Sequence, residues 1–126
     1  MENVVLTRIS KLRFGKDGIG RIIFLPNVAI TRDAVKEHFA ACAKLSKGKK
    51  CPVLVDARNV KYANRQARKY FASEEALKIT KAAAIVVGSH VTRVIGSFFM
   101  GLDKPPYPTK LFTSESKATE WLKRFL

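Results

Sequence analysis

Apolar and polar positions alternate along the first 25 residues. Val4 to Ile9 is β-branched and apolar, and Leu12 and Phe14 continue the alternation against Lys11 and Arg13. That period of two predicts half-buried strands. Gly15-Lys16-Asp17-Gly18 supplies hairpin turn chemistry, Arg21 to Leu25 reads as the returning strand, and Pro26-Asn27 stops it. The period then lengthens. Val35, His38, Phe39, Cys42 and Leu45 fall on one helical face. Thr31 is the expected N-cap, Asp33 sits in the first turn where the dipole favours an anion, and Gly48 ends the helix. Pro52 to Asp56 predicts a short buried strand. Asn64 is expected to cap a second helix reaching Phe71, and Ser73 a further short one. Ala82 to Val87 is uniformly apolar, as suits a central parallel strand covered on both faces. Val91, Val94, Ile95, Phe98 and Phe99 give another helical stripe with Gly101 at its C-cap. After the stiff Pro105-Pro106-Tyr107-Pro108 loop, Thr109 to Thr113 is the last strand. Ser114 then caps a helix with Ala118, Trp121, Leu122 and Phe125 on one face, Glu115 in its first turn, and Lys123 and Arg124 in its last.

The order is β-β-β followed by α-β-α-β-α-β-α. It predicts an α/β fold with a single mixed sheet, antiparallel strands at the N-terminus and alternating helix–strand units after them. A chain of 126 residues fits one domain spanning 1–126. With 47% hydrophobic and 27% charged residues the composition is that of a folded chain rather than a disordered one. Two cysteines exclude a disulfide framework, and no Cys/His spacing suggests a zinc site. No apolar run approaches the roughly 18 residues of a membrane span, and Met1-Glu2-Asn3 lacks a basic leader, so a cytoplasmic protein is expected.

The strand Val53-Leu54-Val55-Asp56 with the following Asn59-Val60-Lys61-Tyr62-Ala63-Asn64-Arg65, taken with the element order, resembles the STAS superfamily. That superfamily includes the bacterial anti-sigma-factor antagonists and is similar in fold to lipid-transfer CRAL-TRIO domains. Leu111-Phe112-Thr113 with Ala118 and Trp121-Leu122 looks like the ending of small uncharacterised bacterial members. The resemblance runs from about residue 20 onward and implies a STAS-like domain. It departs from the antagonists at their phosphorylated Asp-Ser pair. Asn64 and Arg65 stand at those positions, so no phosphoacceptor serine carries over. Asp56 alone matches the pattern, and its expected role is to cap the turn.

Charge changes the picture most. Lys and Arg number 24 against 10 acids, a formal net charge of +14. Lys44 to Lys69 holds nine basic residues and one acid, Asp56. The intervening strand separates Lys47–Lys50 from Arg58–Lys69 by about 15 Å, which puts them at opposite ends of the sheet. The second group gathers at the strand's C-terminal end, where open α/β sheets bind ligands. Gly88-Ser89-His90 follows the next strand and opens a helix with Arg93 in its first turns, where free N–H groups can hold an anion. The expected ligand-binding residues are therefore Arg58, Arg65, Arg68, Ser89, His90 and Arg93. If the strands ending at Asp56 and Val87 are neighbours, the turns after them line one cleft, and an anion there requires Asp56 to be paired.

Other candidates read as structural. His38 and Cys42 share the apolar face of the first helix, and a hydrogen-bonded core histidine is expected. No catalytic residue set, metal site or cofactor is expected, because no carboxylate pair, nucleophile motif or dinucleotide fingerprint appears. Phe98-Phe99-Met100 exceeds what one helix face buries, which suggests a homodimer contact or core filling. The expected function is a non-catalytic binding or regulatory module for a partner protein or small anionic ligand. The alternative is a nucleic-acid-binding protein using its whole basic surface.

Overall fold

A computed structural model describes residues 4–88 and 105–126. Its elements are β1 (Val4–Leu6), β2 (Ser10–Phe14), β3 (Gly20–Phe24), α1 (Arg32–Leu45), β4 (Cys51–Asp56), α2 (Arg65–Tyr70), α3 (Glu74–Ile79), β5 (Thr80–Val86), β6 (Thr109–Phe112), α4 (Glu115–Leu122) and a 3-10 turn (Lys123–Phe125). The strands form one mixed sheet in the order β1-β2-β3-β4-β5-β6. The first two pairings are antiparallel and the remaining three parallel. The α/β architecture with an antiparallel start is the one expected. The helical stripe Val91–Phe99, the Phe98–Met100 contact and the sites at Ser89, His90 and Arg93 lie outside the described residues.

Local chemistry sets the element boundaries. The side chains of Thr31, Asn64, Ser73 and Ser114 each accept from the backbone N–H three residues on, so all four expected caps form. The first strand is shorter than its sequence pattern. The Thr7 hydroxyl accepts from Ile9 N and Ser10 N and folds residues 7–9 into the β1–β2 turn. The final helix is also shorter: it stops at Leu122, and Lys123 and Arg124 fall in the 3-10 turn.

Helices α1, α2 and α3 cover one face of the sheet, where Leu12, Ile22, Phe24, Val35, Phe39, Ala67 and Ile79 form the larger core. Phe24, His38, Phe39 and Phe71 pack there ring against ring. On the other face α4 packs Ala118 and Leu122 onto Leu54, Ala82, Ala84 and Val86. The alanines of β5 fit a strand buried on both sides, because small side chains let the helix lie close. Helix α4 leaves the outer face of β1–β3 open, with Val4, Leu6 and Ile23 exposed beside Lys11 and Arg13. No helix among the described residues is long and apolar enough to cross a membrane.

One polar network crosses the larger core. His38 Nδ1 lies 2.7 Å from Ser10 Oγ, which lies 2.7 Å from Thr7 Oγ1. His38 Nε2 faces Cys42 Sγ at 3.6 Å. A neutral ring suits this chain, with the serine hydroxyl donating to Nδ1 and Nε2–H directed at the sulfur. Burial without any carboxylate partner pulls the imidazole down to about 4 from 6.5. The unfolded chain therefore takes up the proton first. This group's contribution to stability is whole above pH 6.5 and is lost as pH falls toward 4. It amounts to about 3 kcal/mol. Urea unfolding between pH 7 and 4 is expected to show that loss in the native chain and a flatter profile in His38→Gln. Equal slopes in the two proteins would contradict this role of the histidine.

Candidate functional site

The parallel strands β3, β4 and β5 end together, and their following turns adjoin. Asp56 and Val86 are register partners, so the turns after β4 and β5 are neighbours. Asp56, partly buried at this end, receives two contacts from the Arg58 guanidinium, Nε at 3.0 Å and Nη2 at 2.7 Å, and one from Arg58 N at 3.1 Å. The Arg58 hydrogen bonds hold the Asp56 carboxyl below its usual range. The same guanidinium lies 3.5 Å from Glu115 in the first turn of α4. A Cβ on Gly88 would meet the Arg58 stem at 3.3 Å, so a residue without a side chain lets that stem lie against the end of β5. Arg58 thus ties the end of β4 to α4 and shares its one positive charge between two carboxylates.

The other expected arginines divide. Arg68 donates from Nη1 to Ala63 O at 2.8 Å, which turns its head toward its own chain. Arg65, the first residue of α2, is exposed beside the Asn64 cap. The structure therefore brings Arg58 and Asp56 together as the anion site required, but it commits the Arg58 charge to Asp56 and Glu115.

A groove of about 280 Å³ opens next to this latch, between the loop after β3 and the loop after β4. Asn27, Thr31, Asn59, Lys61, Tyr62 and Asn64 line it. The isolated bridge between Ile30 and Ala63 continues the β3–β4 pairing past the strand ends and holds the two loops in register. Asn27 takes a left-handed backbone with φ 57°, which asparagine accepts more readily than most residues. Tyr62 is 68% exposed, unlike the core aromatics. Lys61 is exposed as well. The sequence places Lys61 in the basic group at this strand end but not among the expected contacts, and it gives no such expectation for Tyr62, Asn27 or Asn59. The available signal was an asparagine in each loop that follows a parallel strand.

A second space, under α1–α3, is apolar. The polar side chains there are mostly committed: His38 to Ser10, Arg68 to Ala63 O, Tyr107 Oη to Phe71 O at 2.8 Å and Thr109 Oγ1 to Tyr107 O at 2.9 Å. Ser10 and His38 lie within hydrogen-bond reach but are both buried, which leaves the hydroxyl closed to a substrate. Among the described residues, no group of three or more His, Cys, Asp or Glu is placed to hold a metal ion.

Comparison with known proteins gives a family and a fold. The profile of a family described as Domain of unknown function (DUF7793) matches residues 14–126. An uncharacterized protein of the DUF3478 family from Shewanella loihica PV-4, with a SpoIIAA-like fold, is similar in structure. It has a TM-score of 0.55 and 16% identity, over 97% of this chain and 95% of that one. The STAS-like fold is thereby shown. A protein with unknown function from Arthrobacter sp. FB24 is 33% identical over 88% of this chain and 96% of that one, with a TM-score of 0.34. No curated protein matches the chain.

Replacing Arg58 by alanine removes the cation that Asp56 and Glu115 share. The expected cost is about 1 kcal/mol at neutral pH, since Arg58 is half exposed and its pairs are screened by solvent. Because the Asp56 pKa is lowered in the fold, the cost should shrink as pH falls below the ordinary carboxylate range. Urea midpoints of both proteins at pH 7 and pH 3.5 test this, and an equal cost at both pH values would contradict it.

Proposed function

The chain belongs to the DUF7793 family, and on that premise we propose that it is a non-catalytic binding module that takes an anion at the C-terminal ends of β3 and β4. The anion is a small free molecule or a carboxylate or phosphate on a partner protein. The observation that carries this reading is the groove between the two loops, with exposed Lys61 and Tyr62 at its wall and exposed Arg65 next in sequence to the lining Asn64. It lies at the sheet end where α/β folds place ligands. Asparagine and threonine side chains supply short polar groups, the lysine supplies charge, and the tyrosine supplies a flat apolar surface.

Arg58 supports the site indirectly in this reading. By holding Asp56 and Glu115 it offsets one of their two negative charges near the groove. Its replacement would weaken anion binding through repulsion. This differs from the expectation at Arg58 and Arg68, where direct contact was foreseen. The direct contacts pass to Lys61 and Arg65.

Nitrogen–proton correlation spectra of the labelled chain, titrated separately with inorganic phosphate and with citrate, test the reading. Shifts are expected at Asn27, Thr31, Asn59, Lys61 and Asn64, and they should be lost in Lys61→Ala while the folded spectrum persists. Shifts confined to residues 44–50 and 78–81, or none with either anion, would overturn it.

A further inference from the structure

The opposite end of the sheet carries more charge than the groove end. Parallel strands begin together as well as end together. Lys49 and Lys50 directly precede β4, and Lys78 and Lys81 flank Thr80, the first residue of β5. Cys51 and Thr80 are register partners, so these lysines stand on adjacent strands. Lys16 lies in the turn before β3. Helix α1 descends to the same end and adds Lys44 and, just beyond it, Lys47. The C-terminal turn arrives there too, because the Leu126 side chain lies 3.1 Å from where a Cβ on Gly18 would be. That turn brings Lys123 and Arg124. All nine side chains are exposed. Against them stand Asp17, gripped by Arg21 at 2.8 and 3.0 Å, and Glu120, paired with Lys123 at 3.2 Å.

Lys47 adds a second observation. Its backbone is left-handed with φ 57°, followed by Gly48 at φ 76°. Glycine or asparagine takes that conformation with less strain than lysine. The chain thus sets a long cation at a turn position where a smaller residue would fit better.

We propose that this end of the molecule binds the phosphate backbone of a nucleic acid duplex without reading its sequence. Lysines are flexible point charges, suited to a repeating row of phosphates rather than to base edges. Eight of them and Arg124 around the starts of three adjacent strands face a polyanion better than a single small anion. An anionic lipid surface fits less well. Insertion into a bilayer draws on apolar side chains beside the cations, whereas exposed Leu6, Ile23 and Tyr62 lie elsewhere, and the exposed apolar residues at this end among those described are Leu126 and, out on the edge strand β1, Val4. The proposal stands apart from the anion groove, which is at the other end of the sheet.

The test is fluorescence anisotropy of the full chain with a labelled 20-base-pair DNA duplex at several salt concentrations. One variant combines Lys47→Asn, Lys49→Gln and Lys50→Gln, with asparagine chosen because it accepts the left-handed turn. A charge-matched control combines Lys36→Gln, Lys69→Gln and Lys117→Gln. The first variant is expected to weaken binding at least tenfold near 0.1 M salt and to lower the slope of log K against log salt by about 3. The control should stay within about twofold. Equal weakening by both variants would reduce the effect to net charge and overturn the proposal. So would absence of duplex binding, or binding that transfers to phosphatidylserine vesicles while the duplex is ignored. Circular dichroism of each variant confirms that a loss is not unfolding.

Discussion

Three consecutive strands, β3, β4 and β5, run in one direction and lie side by side, so the loops entering them gather at one end and the loops leaving them at the other. This constraint distributes everything else. The loops that leave the strands carry Asn27, Asp56, Arg58, Asn59, Lys61 and Tyr62, and the loops that enter them carry Lys16 and Lys47 to Lys50. A stretch that is continuous in sequence and strongly basic is divided by the six residues of β4 into two surfaces with different chemistry. The groove end mixes amide, hydroxyl and aromatic groups with a few cations. The other end is nearly pure lysine.

Packing keeps the two ends rigid relative to each other. The sheet is clamped by α1–α3 on one face and by α4 on the other, with β5 buried under both. Arg58 couples α4 to the end of β4, and the Ser10–His38 hydrogen bond couples α1 to the start of β2. Both links are polar, and both depend on protonation in the same sense. The neutral His38 imidazole and the ionised Asp56 carboxylate are the forms that hold the fold, so acid loosens each of them.

Much of the fold was legible in the sequence because its determinants are local. Thr31, Asn64, Ser73 and Ser114 act as caps through bonds to residues three positions away, and hydrophobic period separates strand from helix without tertiary information. The separation of Lys47–Lys50 from Arg58–Lys69 was legible too, since a strand of known rise stands between them. The misjudged boundaries have equally local causes, as where Thr7 turns its hydroxyl to the backbone and ends β1 early. The site was less legible. That Asp56 must be paired followed from its charge, but Glu115 as a second partner of Arg58 comes from α4 crossing the far face of the sheet. The inward turn of Arg68 and the exposure of Tyr62 follow from the Ile30–Ala63 bridge, a contact between loops that no periodicity announces.

In the proposed arrangement the two ends of this sheet bind separately, with the polyanion held at the strand starts. Hydrogen–deuterium exchange of the full chain, alone and with an excess of a 20-base-pair duplex, reads this most directly. Slower exchange is predicted at residues 44–50 and 78–81, with 57–64 unchanged. Protection centred on 57–64, with the strand starts unaffected, would contradict it.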